Sequence, residues 1–173
     1  MLEGKKVLIV IAHDVFRDEE YAEPREVLET AGAEVIVASS GLSEARGRFG
    51  LAVHPDILVK DAEVSDYDAV VFVGGGGSRE YFNDPSALRL ARDADDEGKV
   101  LAAICIAPHI LANADVLKGK KATTYESEIG ALKEKGAIYT DKDVQVDGKL
   151  ITARGPEAAR DFGEEVVNAL QRM

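Results

Sequence analysis

The stretch Val100–His109, which reads VLAAICIAPH, decides the expected fold. Five apolar residues lead into Cys105, the only cysteine of the chain, and an apolar segment containing proline follows at once. A buried strand that ends in a reactive side chain and turns directly into a helix is typical of a nucleophile elbow. The partial positive charge at the N-terminus of that helix favours a thiolate over a thiol. The alternative is an inert core cysteine, because free cysteine is among the most buried residue types.

Strand and helix patterns alternate on both sides of this stretch. Apolar runs predict strands at Lys5–Ala12, Ala33–Ser39, Asp68–Val73, Val100–Cys105, Lys121–Tyr125, Ala137–Thr140, Val144–Val146 and Leu150–Ala153. Helices are predicted at Glu20–Ala31, Pro85–Glu97, Ile106–Val116, Ser127–Lys135 and Glu157–Met173. The alternation predicts an α/β sandwich, with a mostly parallel sheet and helices on both faces.

Local signals refine this reading in three places. Gly41–Asp66 breaks the alternation and is expected to form an irregular excursion with one or two small strands. Ser127 is predicted to cap its helix. The dipeptide Asp147-Gly148 is predicted to form the tight turn of an antiparallel hairpin.

Length and composition set the class of protein. The 173 residues predict one domain over residues 1–173, large enough to fold without disulfides or metals. A single cysteine excludes an intrachain disulfide and fits a reducing cytoplasm. The net charge of −11 argues against nucleic acid or an anionic membrane as a partner. We expect neither a signal peptide nor a membrane span, since no apolar run reaches about 20 residues.

Three strand ends hold chemically unusual residues: His13–Glu20, Gly74–Gly77 and Cys105. Small-molecule sites in α/β sandwiches lie at the C-terminal ends of the strands. Four consecutive glycines allow close backbone approach and N–H groups aimed at an anion, although a flexible loop is the alternative. Beside a nucleophilic cysteine these amides would form an oxyanion hole.

Acidic residues crowd the first of these strand ends. They are Asp14, Asp18, Glu19, Glu20 and Glu23. Most are expected to be solvated at a helix N-terminus, where negative charge is favoured, and at most one to turn inward to the cysteine. That carboxyl would have to be protonated to help, because an ionised one repels a thiolate.

The chain has three histidines, and a cysteine–histidine pair is the usual hydrolase arrangement. His13 lies at a strand end and is, of the three histidines, the first candidate for a catalytic base beside Cys105. His109 lies one helical turn past Cys105 and is expected to point along the helix. His54 falls in the irregular excursion. Acidic residues and histidines show no metal-ligand spacing, so no metal and no cofactor is expected.

These features resemble the ThiJ/PfpI superfamily, which includes intracellular PfpI-type proteases and the Parkinsonism-associated deglycase. The matching segments are Gly74-Gly75, the elbow Ala103–Pro108, Leu117–Thr124 and the run from Asp147-Gly148 to Arg154-Gly155-Pro156. The resemblance implies a flavodoxin-like three-layer sandwich with Cys105 as nucleophile. It further implies that Glu20, four residues before Pro24, is the buried carboxyl, and that the amides of Gly75 and Ile106 bind the oxyanion.

The chain departs from each branch of that family. PfpI-type proteases have histidine directly after the cysteine, where this chain has Ile106. They also use a glutamate from a neighbouring subunit, at a spacing that falls on Arg79 here, with Glu80 one residue on. The deglycase-like branch has a histidine where this chain has Tyr125. Class I glutamine amidotransferases also have a cysteine at an elbow, but they need a late His-x-Glu motif. They are excluded, because no histidine follows His109.

The resemblance implies a cysteine-dependent hydrolase or a glyoxalase/deglycase-like enzyme that acts on small reactive carbonyl compounds in stress protection. Cys105 would add to the carbonyl, Glu20 would move a proton, and His13 or Tyr125 would assist. Two alternatives stay open: a redox-sensing stress protein with an oxidisable Cys105, and a PfpI-type peptidase in which Glu80 acts between subunits. We expect a cytoplasmic homodimer or higher homo-oligomer, and a pKa of Cys105 below its ordinary value.

Overall fold

The computed structural model describes residues 1–173, which form twelve strands and five α-helices. The strands are β1 (Lys6–Val10), β2 (Asp14–Phe16), β3 (Glu34–Ser39), β4 (Ala45–Gly47), β5 (Ala52–Val53), β6 (Ile57–Leu58), β7 (Ala69–Phe72), β8 (Val100–Ile104), β9 (Lys121–Ala122), β10 (Ile138–Tyr139), β11 (Val144–Asp147) and β12 (Leu150–Ala153). The helices are α1 (Asp18–Thr30), α2 (Pro85–Asp96), α3 (Pro108–Asn113), α4 (Ile129–Glu134) and α5 (Ala159–Gln171). None of them combines the length and the apolarity needed to cross a membrane.

The central sheet has seven strands in the order β11-β12-β8-β7-β1-β3-β6. Every neighbouring pair is parallel except β11 with β12, so the predicted mostly parallel sheet is confirmed. Strand β8 pairs with β7 on one side and β12 on the other, which fixes its end inside the sheet. Cys105 follows that end directly.

Two apolar cores separate the sheet from its helices. Side chains of a strand alternate between the two faces, and in β1 Val7 and Ile9 belong to one core while Leu8 and Val10 belong to the other. The first core includes buried residues of α1 and α5, and the second includes residues of α2, α3 and α4. The predicted three-layer arrangement is therefore confirmed.

The irregular excursion contains more order than the sequence indicates. Its strand β4 pairs with β2 and with β5 to form a separate small sheet. Strands β2 and β4 have three residues each, which is too short for an apolar period to be recognised. This small sheet brings the loop after β4 close to the start of α1, since the carboxylate of Asp18 accepts from the N–H groups of Phe49 and Leu51.

The helix after the elbow is shorter than predicted. It runs over Pro108–Asn113 instead of Ile106–Val116. Ile106 and Ala107 form the turn that precedes it, and Asp115 adopts a left-handed φ of 62° just beyond its end. A helix of six residues has a weaker dipole than a long one, so it contributes less to thiolate stabilisation than the sequence suggests.

Two predicted local signals differ from the structure, although the antiparallel pairing of the predicted hairpin is confirmed. Ser127 does not cap α4, because its hydroxyl hydrogen-bonds to the Glu128 side chain and the helix begins at Ile129. The hairpin turn consists of Gly148 and Lys149, because Asp147 still pairs with Leu150. Gly148 takes the left-handed φ of 64° that the turn requires.

Candidate active site

Cys105 stands at the end of β8 with a left-handed φ of 66°. This conformation costs a residue with a Cβ about 1 kcal/mol, and neighbouring strands hold it in place. The Cys105 N–H donates to the Ala153 carbonyl at 2.9 Å. The Cys105 carbonyl accepts from the Tyr125 N–H at 2.9 Å and from the Thr124 hydroxyl at 2.8 Å. The side chain is only partly buried and faces a cavity, which disfavours an inert core cysteine.

Three of the four glycines after β7 are packed so closely against neighbouring atoms that a side chain would not fit, which argues against a merely flexible loop. A Cβ at Gly74 would lie 2.5 Å from Glu20 Oε1 and 2.6 Å from Cys105 Cβ. At Gly75, whose φ is 99°, a Cβ would lie 2.4 Å from the Arg17 backbone nitrogen. A Cβ at Gly77 would collide with the Asp14 carbonyl oxygen. Only Gly76 of the four has open space beside it.

Glu20 is the acidic residue that turns inward. It lies on the first turn of α1, is fully buried, and its carboxyl contacts the Cys105 side chain next to Gly74. Neither carboxyl oxygen has a hydrogen-bond partner of normal geometry. Burial raises the pKa of Glu20 to about 8, although the nearby Cys105 thiol, the charge of Arg17 and the Gly74 N–H offset part of the rise. At neutral pH the carboxyl therefore holds its proton.

The pKa of Cys105 is raised, which differs from the expected lowered value. Burial is the main cause, and the negative charge of an ionised Glu20 adds to it. Hydrogen bonds from the N–H groups of Gly75 and Ile106 act in the opposite direction. Because Glu20 and the thiol titrate as a coupled pair, the repulsion acts only once Glu20 is ionised. The predicted oxyanion amides thus lie at the sulfur, as the resemblance implies.

The cavity beside Cys105 has a volume of about 350 Å³, which suits a small molecule. Its lining combines backbone amides, the thiol and several charged side chains. These residues are Arg17, Arg48, Gly75, Gly76, Arg79, Cys105, Ile106, Tyr125, Ser127, Pro156 and Glu157. The sequence analysis named the glycines, Ile106, Arg79 and Tyr125. It did not predict that three arginines would meet at this cavity. Arg17 and Arg48 lie in separate loops and Arg79 lies in a 3-10 helix, Gly76–Tyr81, so no short-range pattern links the three.

His13 and Glu80 do not line this cavity. The Nε2 atom of His13 lies 3.0 Å from the carbonyl oxygen of Ser43 and 3.0 Å from the Ser43 hydroxyl. The carboxylate of Glu80 accepts from the His13 N–H at 3.0 Å. Arg79 lines the Cys105 cavity of its own chain, and the proposed role of Glu80 between subunits stays a prediction. His54 is exposed and also absent from the lining.

His109 has a partner that the sequence does not indicate. Its Nδ1 lies 2.8 Å from Glu128 Oε1, and its ring stacks on Phe82 with the centroids 4.2 Å apart. Burial opposes ionisation of Glu128, but hydrogen bonds from His109 and Ser127 outweigh it and lower the pKa of this carboxyl. His109 is thus fixed against a carboxylate and does not line the Cys105 cavity.

Fold and site together define an α/β sandwich with a cysteine at a nucleophile elbow. The model of the DJ-1/PfpI family matches residues 5–169. An uncharacterised protein of Methanocaldococcus jannaschii is 44% identical over 99% of this chain and 85% of its own length. The chain therefore belongs to the DJ-1/PfpI family, and the resemblance read from the sequence is confirmed.

Solved structures agree with this assignment. A ThiJ/PfpI domain protein from Brachyspira murdochii superimposes with a TM-score of 0.95 at 32% identity, covering 98% of this chain and 99% of that one. Drosophila melanogaster DJ-1beta gives a TM-score of 0.86 at 31% identity, covering 97% of this chain and 94% of that one. The flavodoxin-like fold class is thereby confirmed.

Proposed function

We propose that this protein is a cysteine-dependent, glyoxalase-like enzyme that converts small 1,2-dicarbonyl compounds into 2-hydroxy acids. The observation that supports it most is the juxtaposition of three elements at one sulfur. The Cys105 thiol has a fully buried, unpartnered Glu20 beside it and the N–H groups of Gly75 and Ile106 directed at it. A nucleophile, a proton carrier and oxyanion donors are the parts that covalent carbonyl chemistry needs.

In the first step, Cys105 sulfur bonds to the aldehyde carbon. Glu20 in its protonated form donates to the aldehyde oxygen and receives the thiol proton in return, so that a hemithioacetal forms. The Gly75 and Ile106 N–H groups stabilise the negative charge that develops on that oxygen. A carboxyl with a pKa of about 8 is close enough to neutrality to give and to accept a proton.

In the second step, Glu20 first releases its proton to water; the resulting carboxylate takes the proton from the former aldehyde carbon and returns it to the adjacent carbonyl carbon, and it regains a proton from water when the cycle closes. The hydroxyl proton moves to the second oxygen, so the first carbon is oxidised to a thioester while the second is reduced to an alcohol. Water then cleaves the thioester, its OH going to the acyl carbon and its hydrogen to the sulfur. The internal transfer needs no external oxidant or reductant.

The test is conversion of methylglyoxal to lactate, followed by loss of the dicarbonyl and by formation of the acid. We expect turnover by the unaltered protein and at least about a hundredfold loss in Cys105→Ser, because the hydroxyl is a far weaker nucleophile. Circular dichroism checks that the variant folds. Full activity in Cys105→Ser would contradict the proposed mechanism.

A second candidate function is redox sensing at the same cysteine. The unpartnered Glu20 carboxyl and the amides around the sulfur could equally bind the oxygens of a sulfinate. Two equivalents of hydrogen peroxide would add two oxygens to Cys105 and leave two molecules of water. This candidate predicts a mass gain of two oxygens, confined to Cys105, in a protein without dicarbonyl turnover. A thiol that resists peroxide would exclude it.

A further inference from the structure

The cavity at Cys105 is electropositive in a protein that is strongly acidic. The chain has a net charge of −11, yet three arginines and only one carboxylate line this cavity. The arginines are Arg17, Arg48 and Arg79, and the carboxylate is Glu157. Guanidinium groups stay protonated at any physiological pH. The lining therefore has a positive balance, opposite in sign to the whole molecule.

Two of these three arginines have no carboxylate partner. Arg17 donates to Glu19 through Nε and Nη2 at 3.0–3.3 Å. Arg48 and Arg79 make neither a salt bridge nor a side-chain hydrogen bond. Both are exposed at the cavity. Of the seven arginines outside the cavity, Arg92 and Arg172 have no acidic partner either, but the other five pair with acidic side chains: Arg25, Arg46, Arg89, Arg154 and Arg160.

Aromatic rings lie beside all three guanidinium groups. The centroid of the Phe49 ring lies 5.1 Å from the Arg17 guanidinium carbon and 5.5 Å from that of Arg48. Arg79 lies 6.0 Å from the centroid of the Phe82 ring. Contacts of this kind favour a cation over a ring face and limit its freedom. The side-chain donors of Arg48 and Arg79 remain available to a ligand in the cavity.

We infer that the Cys105 cavity selects reactive carbonyl compounds that also have an anionic group, a carboxylate or a phosphate ester. This inference rests on the proposed function and specifies its substrate class. The planar donor fork of arginine matches the oxygens of both anions. Arg48 and Arg79 would hold the anion at the opening while the carbonyl carbon reaches the Cys105 sulfur. The anionic group itself takes no part in the bond changes.

Two alkylating reagents test the charge selection without any turnover. Iodoacetate and iodoacetamide both transfer a carbon to the thiolate with loss of iodide, but only iodoacetate is negatively charged. We expect the rate ratio of iodoacetate to iodoacetamide at Cys105 to exceed the ratio at free cysteine by about tenfold, the size of one charge-assisted contact. Arg48→Gln and Arg79→Gln should each lower the ratio several-fold.

Arg46→Gln is the matched control for these variants. Arg46 lies on β4, two residues before Arg48, but it pairs with Glu44 at 2.8 Å and does not line the cavity. We expect the control to keep the ratio of the unaltered protein. A ratio no higher than that of free cysteine, or one that changes equally in all three variants, would overturn the inference.

Turnover supplies the second test. We compare 4,5-dioxovalerate with its methyl ester, and hydroxypyruvaldehyde phosphate with hydroxypyruvaldehyde, each pair sharing a carbon skeleton. In at least one pair, we expect kcat/KM to be at least about tenfold higher for the anionic compound than for its neutral counterpart. The arginine variants should act mainly on KM. The pair with the larger preference identifies the anion. Equal kcat/KM within both pairs would overturn the inference.

The two proposals fail in different ways. If no dicarbonyl is turned over but iodoacetate is still preferred, the proposed reaction is wrong and the anion-selective cavity stands. If dicarbonyls are turned over without preference for either anion, the reaction stands and the substrate class is wrong.

Discussion

Glu20 and Glu128 are both buried glutamates near the Cys105 cavity, and their charge states are opposite. Burial raises the pKa of Glu20 to about 8, and neither of its carboxyl oxygens has a hydrogen-bond partner of normal geometry. Glu128 has little exposed surface but is less deeply buried than Glu20, and hydrogen bonds from His109 and Ser127 lower its pKa. Burial disfavours the ionised form of both carboxyls, and the hydrogen bonds that Glu128 accepts favour its ionised form. An unpartnered carboxyl beside a nucleophile is therefore the better candidate for proton transfer.

Exchanging each glutamate for glutamine separates the two roles most strongly. We expect Glu20→Gln to lower kcat/KM for dicarbonyl turnover by about a hundredfold or more, because the amide cannot transfer a proton. Glu128→Gln should change it by less than about threefold. Steady-state kinetics on both variants and the unaltered protein make the comparison. Similar losses in the two variants would show that the distinction between them is wrong.

The close packing between Glu20 and Cys105 gives a second prediction. Gly74→Ala should lower the free energy of unfolding by up to about 3 kcal/mol, because the added Cβ would overlap both side chains. Gly76→Ala is the matched control, since nothing lies within 4 Å of a Cβ there. Urea denaturation measures both variants. Equal stability would mean that the Glu20–Cys105 contact is looser than described.

Glu128→Gln should affect stability instead of catalysis. It replaces a charge-assisted contact with His109 by a neutral one, and we expect a loss of about 1–2 kcal/mol in the free energy of unfolding. His109→Ala should cause a comparable loss, and the double variant should lose less than the sum of the two. Additive losses would indicate that the 2.8 Å contact contributes little.

The two glutamates also predict opposite pH dependence of stability. Between about pH 4.5 and 8, Glu20 is protonated in the folded state and ionised in the unfolded state. Folding then takes up a proton, so the free energy of unfolding falls as pH rises, by at most about 1.4 kcal/mol per pH unit from this group. Glu20→Gln should make the slope shallower in that window.

Glu128 acts in the other direction. Its folded-state pKa lies below 4.5, so its contribution to stability is present above that pH and is lost as the pH falls through the folded-state value. Denaturation at a series of pH values measures both effects. An identical slope between pH 4.5 and 8 in the unaltered protein and Glu20→Gln would contradict the raised pKa.

The same contrast shows what the sequence could and could not predict. Long apolar runs such as Lys5–Ala12 predicted the main strands, because their residues are buried whatever the loops do. Glu20 was singled out because its distance from Pro24 matches the family. The burial of Glu128 could not be predicted, because its partner His109 is 19 residues away and the pair forms only when two short helices meet.

The candidate site was predicted only where a residue lies close to a recognisable motif. Cys105 and the glycines follow buried strands, so their positions at the edge of the sheet could be inferred. Arg17 and Arg48 approach one another only through the small β2–β4–β5 sheet, whose strands are too short to predict. His13 follows a strand like Cys105, but its side chain turns to Ser43.

The protonation state of Glu20 at neutral pH tests the account most directly. It can be measured from the carboxyl ¹³C chemical shift of glutamate-labelled protein across a pH series, with Glu20→Gln and Glu128→Gln used to assign the two signals. We predict a Glu20 midpoint of about 8 and a Glu128 midpoint below 4.5. A Glu20 signal that titrates at or below 4.5 would show that the carboxyl is ionised beside Cys105, which would contradict its role as the proton carrier.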